Sequence, residues 1–422
     1  MSRRDPMLRP WRLRPWRPIV VRFSSLLRDE TDALRQGFVA LLIASFGSFL
    51  AGLTLGAIES TLERLPGLLL LVPAAIGMRG NIFGALGSRL GTAIQAGTFQ
   101  LSRRVDTLVG QNIAASIVLS LTISLLLALL AKAISIAFSL PDTISVVDFV
   151  VISMVGGVLS SVVVLVITVA VAEASVRRGW DLDNVAAPIV AATGDVVTLP
   201  ALFLGTYLVG LGWFTLVFGL ACTGVGLGAL VLGLRAKRVL LRRILRESLP
   251  ILAVAGTVDV LAGLTIEKRL DEFLVFPALL ILIPPFLDAS GALGGILSSR
   301  VSTKFHLGLI EPSRFSLRPV GEDVLLILVY AVPLFLLVGV SANLASVVTG
   351  LQGPGVLEMF GVAQLAGVMV TAAAVLVAYY GAAAAYRFGL DPDNFGIPAV
   401  TSSLDLLGAF SIVLALVMLG LV

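Results

Sequence analysis

The sequence predicts an all-α polytopic membrane protein: two parallel five-helix repeats joined by one extra helix, about 11 spans in all. Three observations predict it. First, 58% of the 422 residues are hydrophobic and 13% charged, with a mean hydropathy of +1.03, whereas a soluble domain carries roughly a quarter charged residues. Second, the apolar residues come in blocks long enough to cross about 30 Å of hydrocarbon as helices, where a membrane β-barrel would show short alternating segments. Third, the chain repeats itself. The string AGLT begins at Ala51 and again at Ala262. Pro73 recurs as Pro284, Gly80 as Gly291, Gly84 as Gly295, and Asp195 as Asp405, always 210 or 211 positions on.

The elements follow in order. Residues 1–35 hold nine arginines, too many for the apolar core of a signal peptide. They read as a cytoplasmic tail, with an interfacial amphipathic helix from Trp16 as one reading of its second half. The spans are placed at 37–58, 65–88, 107–131, 149–176, 184–208, 211–234, 249–266, 273–298, 324–346, 356–386 and 395–422. The domains are then the tail (1–35), a first repeat (36–209), a linking helix with a basic loop (210–247) and a second repeat (248–422). Lys and Arg concentrate in every other loop: Arg89, Arg103 and Arg104, then Arg177 and Arg178, then six between Arg235 and Arg246, then Arg300 and Lys304, then Arg387. Basic loops lie inside, so the N-terminus is expected in the cytoplasm and the C-terminus outside. Five spans are an odd number, and two such units joined directly would be inverted. The span at 211–234 has no counterpart and returns the chain to the inner side, which leaves the repeats parallel, like a fused dimer.

Composition also excludes. One Cys (Cys222) and one His (His306) allow no intrachain disulfide and no Cys/His metal centre, so any metal is held by oxygen. The net charge of +4 reads as membrane orientation rather than nucleic-acid binding. No nucleophile, histidine base or metal triad supports catalysis, and no organic cofactor is expected.

Ionisable groups within spans cost roughly 3 kcal/mol at the bilayer centre and are usually functional. Asp195 stands 11 residues after Asn184, and Asp405 11 after Asn394, about three helical turns and about 16 Å deep. Asn184 and Asp195 therefore share one face, as do Asn394, Thr401 and Asp405. Small residues surround both aspartates, leaving backbone carbonyls accessible. The stretches 73–89 and 284–300 mix Pro and Gly within a span and predict broken or kinked helices. Their polar groups are Asn81 and Asp288, while Arg79 is placed either in an inner vestibule or against an acid. Asp259 sits mid-span where the first repeat has Ser48, and ranks as a secondary site residue. Glu173, Asp181, Asp183, Asp391 and Asp393 lie near inner helix ends, as a cation-concentrating vestibule or as solvated and helix-capping charge.

On DNVAAPIVAATGDVVTL (183–199), together with GMRGN (77–81) and SRLGT (88–92), the chain resembles the MgtE-type magnesium transporters, and more closely their two-repeat relatives, the solute-carrier magnesium transporters. The resemblance runs from about residue 37 to 422 and implies a doubled five-helix unit that moves Mg2+ between its halves. It implies an ion-binding role for Asp195 and Asp405 and a pore-lining role for Asn81. The second repeat departs from it, with Gly291-Ala292 in place of Gly-Asn and Asp288 three residues earlier. The Arg-rich tail stands where MgtE-type proteins carry soluble regulatory domains. Mg2+ keeps several of its waters, so one or two carboxylates suffice. The leading expectation is a plasma-membrane divalent cation transporter, Mg2+ its substrate, monomeric as an internal pseudo-dimer. The alternative is a Na+- or H+-coupled carrier of a small organic solute.

Overall fold

The computed structural model describes residues 31–99, 106–178, 182–311, 317–390 and 395–421; for 31–37, 182–188 and 317–319 it describes the backbone alone. Residues 40–422 form one compact unit and 1–39 another, of which the opening turns of the first helix are described. The first repeat contributes α1 (Thr31–Ala57), the short α2 (Glu59–Arg64), α3 (Leu71–Gln95, led in by a 3-10 turn at Leu68–Leu70), α4 (Leu108–Ala137), α5 (Val146–Arg178) and α6 (Leu182–Thr206). The linking helix is α7 (Trp213–Leu234). The second repeat adds α8 (Val239–Glu267), the short α9 (Leu270–Val275), α10 (Ala278–His306), α11 (Leu317–Thr349), α12 (Val356–Phe388) and α13 (Ile397–Met418). Eleven of these helices are long and apolar enough to cross a membrane, and the described residues include no strand.

Several helices outrun the apolar blocks that announce them. α8 starts at Val239 rather than near 249, because Leu241, Ile244 and Leu245 are buried while Arg243 and Arg246 of the same turns stay exposed. A helix continues past the hydrocarbon edge wherever one face still packs. α10 reaches His306 and α11 starts at Leu317, so the expected loop 300–323 is mostly helix. Asp323 accepts from Arg300 (2.8 Å) and Lys304, as Asn112 accepts from Arg89 (2.8 Å) at the matched place in the first repeat. α3 and α10 are also unbroken. Pro284 and Pro285 sit inside continuous helix, which corrects the expectation of broken spans.

Within each repeat the second helix packs on the third, fourth and fifth, and the fourth on the fifth. The first helices cross over instead. α8 packs on α3 and α4 of the first repeat as well as on α13. Reciprocally, the backbone of Gly52 in α1 abuts the Ile281 carbonyl of α10, leaving no room for a Cβ. Gly263, the match of Gly52, meets Leu69 and Leu70 in the same way, its would-be Cβ only 2.7 Å from Leu70 Cα. Proline explains part of this contact. Pro285 has no N–H for the Ile281 carbonyl one turn back, and a glycine backbone brings its Cα–H groups against that oxygen. α3 and α10 are the most buried spans, 67% and 78% over their most apolar stretch, against 17% for α7. They form the centre, and α7 lies outside on α4, α5 and α8.

Candidate cation site

α3 and α10, the central helices, carry a track of partly accessible small and polar residues. On α3 it runs through Gly77, Asn81, Gly84 and Ser88; on α10, through Asp288, Ala292, Gly295 and Ser299. A Cβ added at Gly80, Gly84 or Gly295 would meet nothing within 4 Å. The open side of the most buried helices therefore faces space inside the bundle.

Four aspartates gather along this track. Asp195 (α6) is 5% exposed, and its Oδ2 accepts from the Ser48 hydroxyl of α1 at 2.5 Å. Asp288 lies beside the same serine and within electrostatic reach of Asp195. Asp259 (α8) is fully buried, and the Ser402 hydroxyl is the one hydrogen-bonding group set against its oxygens among the described residues. It stands opposite Gly77 together with Asp405 of α13. A Cβ on Gly77 would lie 3.0 Å from Asp259 Oδ2 and 3.6 Å from Asp405 Oδ2. Asp405 is in turn within electrostatic reach of Asp195, Asp259 and Asp288. Asn81 Nδ2 and Asp288 Oδ2 are further buried atoms without a hydrogen bond. The donor set is all oxygen, as the composition requires. Among the described residues, no three His, Cys, Asp or Glu side chains converge on a position to chelate one ion.

The structure places several of the sequence candidates. It brings Asp195, Asp405, Asp288 and Asn81 to the central track, and sets Asp259 beside Asp405 there. Thr401 turns its hydroxyl back to the Ile397 and Pro398 carbonyls and its Cβ toward Gly291. Glu173 is engaged at the surface with Arg177, one turn along α5. Arg79 neither faces a vestibule nor meets an acid: it is 1% exposed and donates to Ser161 and, at 3.0 Å, to Ser124. The side chains of Asn184 and Asp183 lie outside the described residues, as do Asp181, Asp391, Asp393, Asn394 and the N-terminal tail. Gly77 and Ser48 escaped the sequence reading as site members. Their signal is the offset of 211, which sets Gly77 against Asp288 and Ser48 against Asp259.

Two matched halves with acids meeting among the central apolar helices are the build expected of a membrane cation transporter. Comparison with known proteins gives the family. The family model MgtE, described as a divalent cation transporter, matches residues 72–205 and 283–415, more than half of the chain and once in each repeat. Solute carrier family 41 member 2 of Homo sapiens is 28% identical over 450 residues, covering 96% of this chain and 74% of its own length. The Xenopus laevis protein of that name is 26% identical over 417 residues, covering 88% and 69%. Solute carrier family 41 member 3 of Rattus norvegicus is 25% identical over 398 residues, covering 88% and 84%. No solved structure matches the chain. The chain belongs to the MgtE family of divalent cation transporters, a class of membrane transport proteins rather than of enzymes.

Proposed function

We propose that the protein carries Mg2+ across the plasma membrane, with its N-terminus in the cytoplasm. The ion passes between the two repeats along the α3–α10 track and is held largely hydrated at Asp195 and Asp405, with Asp288 and Asp259 completing the acid set. Asn81 lines the path, while Asn184 and Asn394 stand near its inner mouth. One observation carries this reading: four aspartates, two of them at matched places in the repeats, gather among the central helices of a chain whose family moves divalent cations. Mg2+ exchanges its waters reluctantly and is usually held by one or two carboxylates, so carboxylate pairs with hydroxyl and amide neighbours suit it. Oxygen-only donors select against softer metals. The doubled repeat supplies both halves of the path within one chain, so a monomer suffices.

The test is growth of a Mg2+-uptake-deficient strain at limiting Mg2+, with membrane abundance measured in parallel. Asp195→Asn with Asp405→Asn is expected to abolish rescue at normal abundance. Undiminished rescue by the double variant overturns the assignment.

A further inference from the structure

The four aspartates divide into two pairs, and the pairs are not copies of each other. In one, Asp195 stands with Asp288 and the hydroxyl of Ser48. In the other, Asp405 stands with Asp259 opposite Gly77. The repeat equates Asp195 with Asp405, Ser48 with Asp259, and Gly77 with Asp288. Each pair thus holds one fifth-helix aspartate and one further acid, but that acid has changed helix. It comes from a second helix (α10) in one pair and from a first helix (α8) in the other. Where one pair has a hydroxyl the other has a carboxylate, and where one has a carboxylate the other has a glycine.

Gly77 is the steric counterpart of this exchange. A side chain there would press on Asp259 Oδ2 at 3.0 Å, so the position is empty of side chain because the acid arrives from across the helix. Asp259 is wholly buried, and the Ser402 hydroxyl is the one donor set beside its carboxylate among the described residues. A buried carboxylate with no more than one hydroxyl beside it calls for a ligand of opposite charge. The acids do not converge on a single chelation centre, which argues against one ion shared by all four. Each pair carries two formal negative charges, the complement of one divalent cation.

Resting on the proposed transport function, we propose that the protein holds two divalent cations at once, one in each aspartate pair, and that Asp259–Asp405 is a cation subsite in its own right. The exchange of acid between helices keeps two carboxylates in each subsite although the two halves have diverged.

The test counts ions. Full-length protein in detergent is titrated with Mn2+, which reports free ion by electron paramagnetic resonance, and binding is required to be displaced by excess Mg2+. The expected stoichiometry is two Mn2+ per chain. Asp259→Ser, which makes the second pair resemble a Ser48 pair without its second acid, is expected to leave one; Asp259→Asn keeps the shape of the side chain and should do the same. Asp259→Ser with Gly77→Asp rebuilds the second pair in the image of the first, since loss of the Asp259 carboxylate opens the room that Gly77→Asp needs. It is expected to restore two. A wild-type stoichiometry of one, or two ions surviving both single Asp259 variants in protein that stays monodisperse, overturns the subsite while leaving the proposed function standing. No Mg2+-displaceable Mn2+ at all overturns both.

Discussion

The guanidinium of Arg79 is buried among α3, α4 and α5 with two serine hydroxyls and an unpartnered Nε. Among the described residues it makes no ion pair. An isolated charge in a low-dielectric interior costs several kcal/mol, and even a buried ion pair is often replaced by packed apolar side chains with no loss, or a gain of about 1–4 kcal/mol. The repeat shows that the place tolerates exchange: the matched triplet Ser290, Phe335 and Thr371 contains no charge. Arg79→Met is therefore expected to raise the thermal unfolding midpoint in detergent by several degrees. A fall would mean that the guanidinium has a partner the two hydroxyls do not account for. Arg79 also packs against Gly194, the residue before Asp195: a Cβ on that glycine would lie 3.5 Å from Arg79 Cβ. The root of the Arg79 side chain thus lies against the residue before one fifth-helix aspartate, while the matched Ser290 carries no charge.

At the scale of helices, the crossing of α1 over α10 and of α8 over α3 is the feature that decides the site. It brings Ser48 to Asp288 and Asp259 to Gly77, and it depends on Gly52 and Gly263, where a side chain would run into backbone rather than into a flexible neighbour. Gly263→Val is expected to destabilise the folded protein by at least the 1–3 kcal/mol of ordinary overpacking, read as a lowered melting midpoint. Gly224→Val, on the open face of α7 where a Cβ meets nothing within 4 Å, should leave the midpoint unchanged. Equal effects from the two variants would refute the crossing. These helices also mark how far the sequence can be read. All eleven spans were legible because hydrocarbon thickness imposes a length that no other element shares. Asp195 and Asp405 were legible because an acid in an apolar block is costly and recurred at one depth. The partnership of Asp259 was not, because it depends on which helix crosses which, and local pattern carries no such information. Gly77 was harder still, since a glycine offers no chemistry to notice. The first turns of α8 were missed because hydropathy ends at the membrane edge while helical packing through Ile244 and Leu245 does not.

The whole molecule combines two orientation signals with one interlock. Arginine and lysine mark the loops on the side expected to be cytoplasmic, and the crossing added by α7 is expected to leave both repeats facing the same way. A cysteine in the 139–145 loop, in a background lacking Cys222, is expected to react with an impermeant maleimide added to intact cells, and one at Lys237 to react only after lysis; the reverse would invert the topology. The interlock makes a stronger demand. Between membrane helices there is no hydrophobic driving force, because lipid is as apolar as leucine, so association rests on close packing and on satisfying polar groups. Here both lie between the repeats. α1 finds its close glycine contact on α10, α8 finds its own at the lead-in to α3, and the Glu267 carboxylate of α8 accepts the backbone N–H groups of Gly67 (2.5 Å) and Leu69 (3.1 Å) ahead of α3. Asp195 meets Asp288, and Ser48 lies between them, only when both repeats are present. A chain cut in the short α7–α8 connection, expressed as residues 1–236 and 237–422, should therefore yield two fragments that are each degraded alone. Expressed together, they should copurify and recover Mg2+-displaceable Mn2+ binding. A single fragment that purifies as a stable, monodisperse species would show that the repeats fold as separate units, and the reciprocal crossing could not then be what holds the site together.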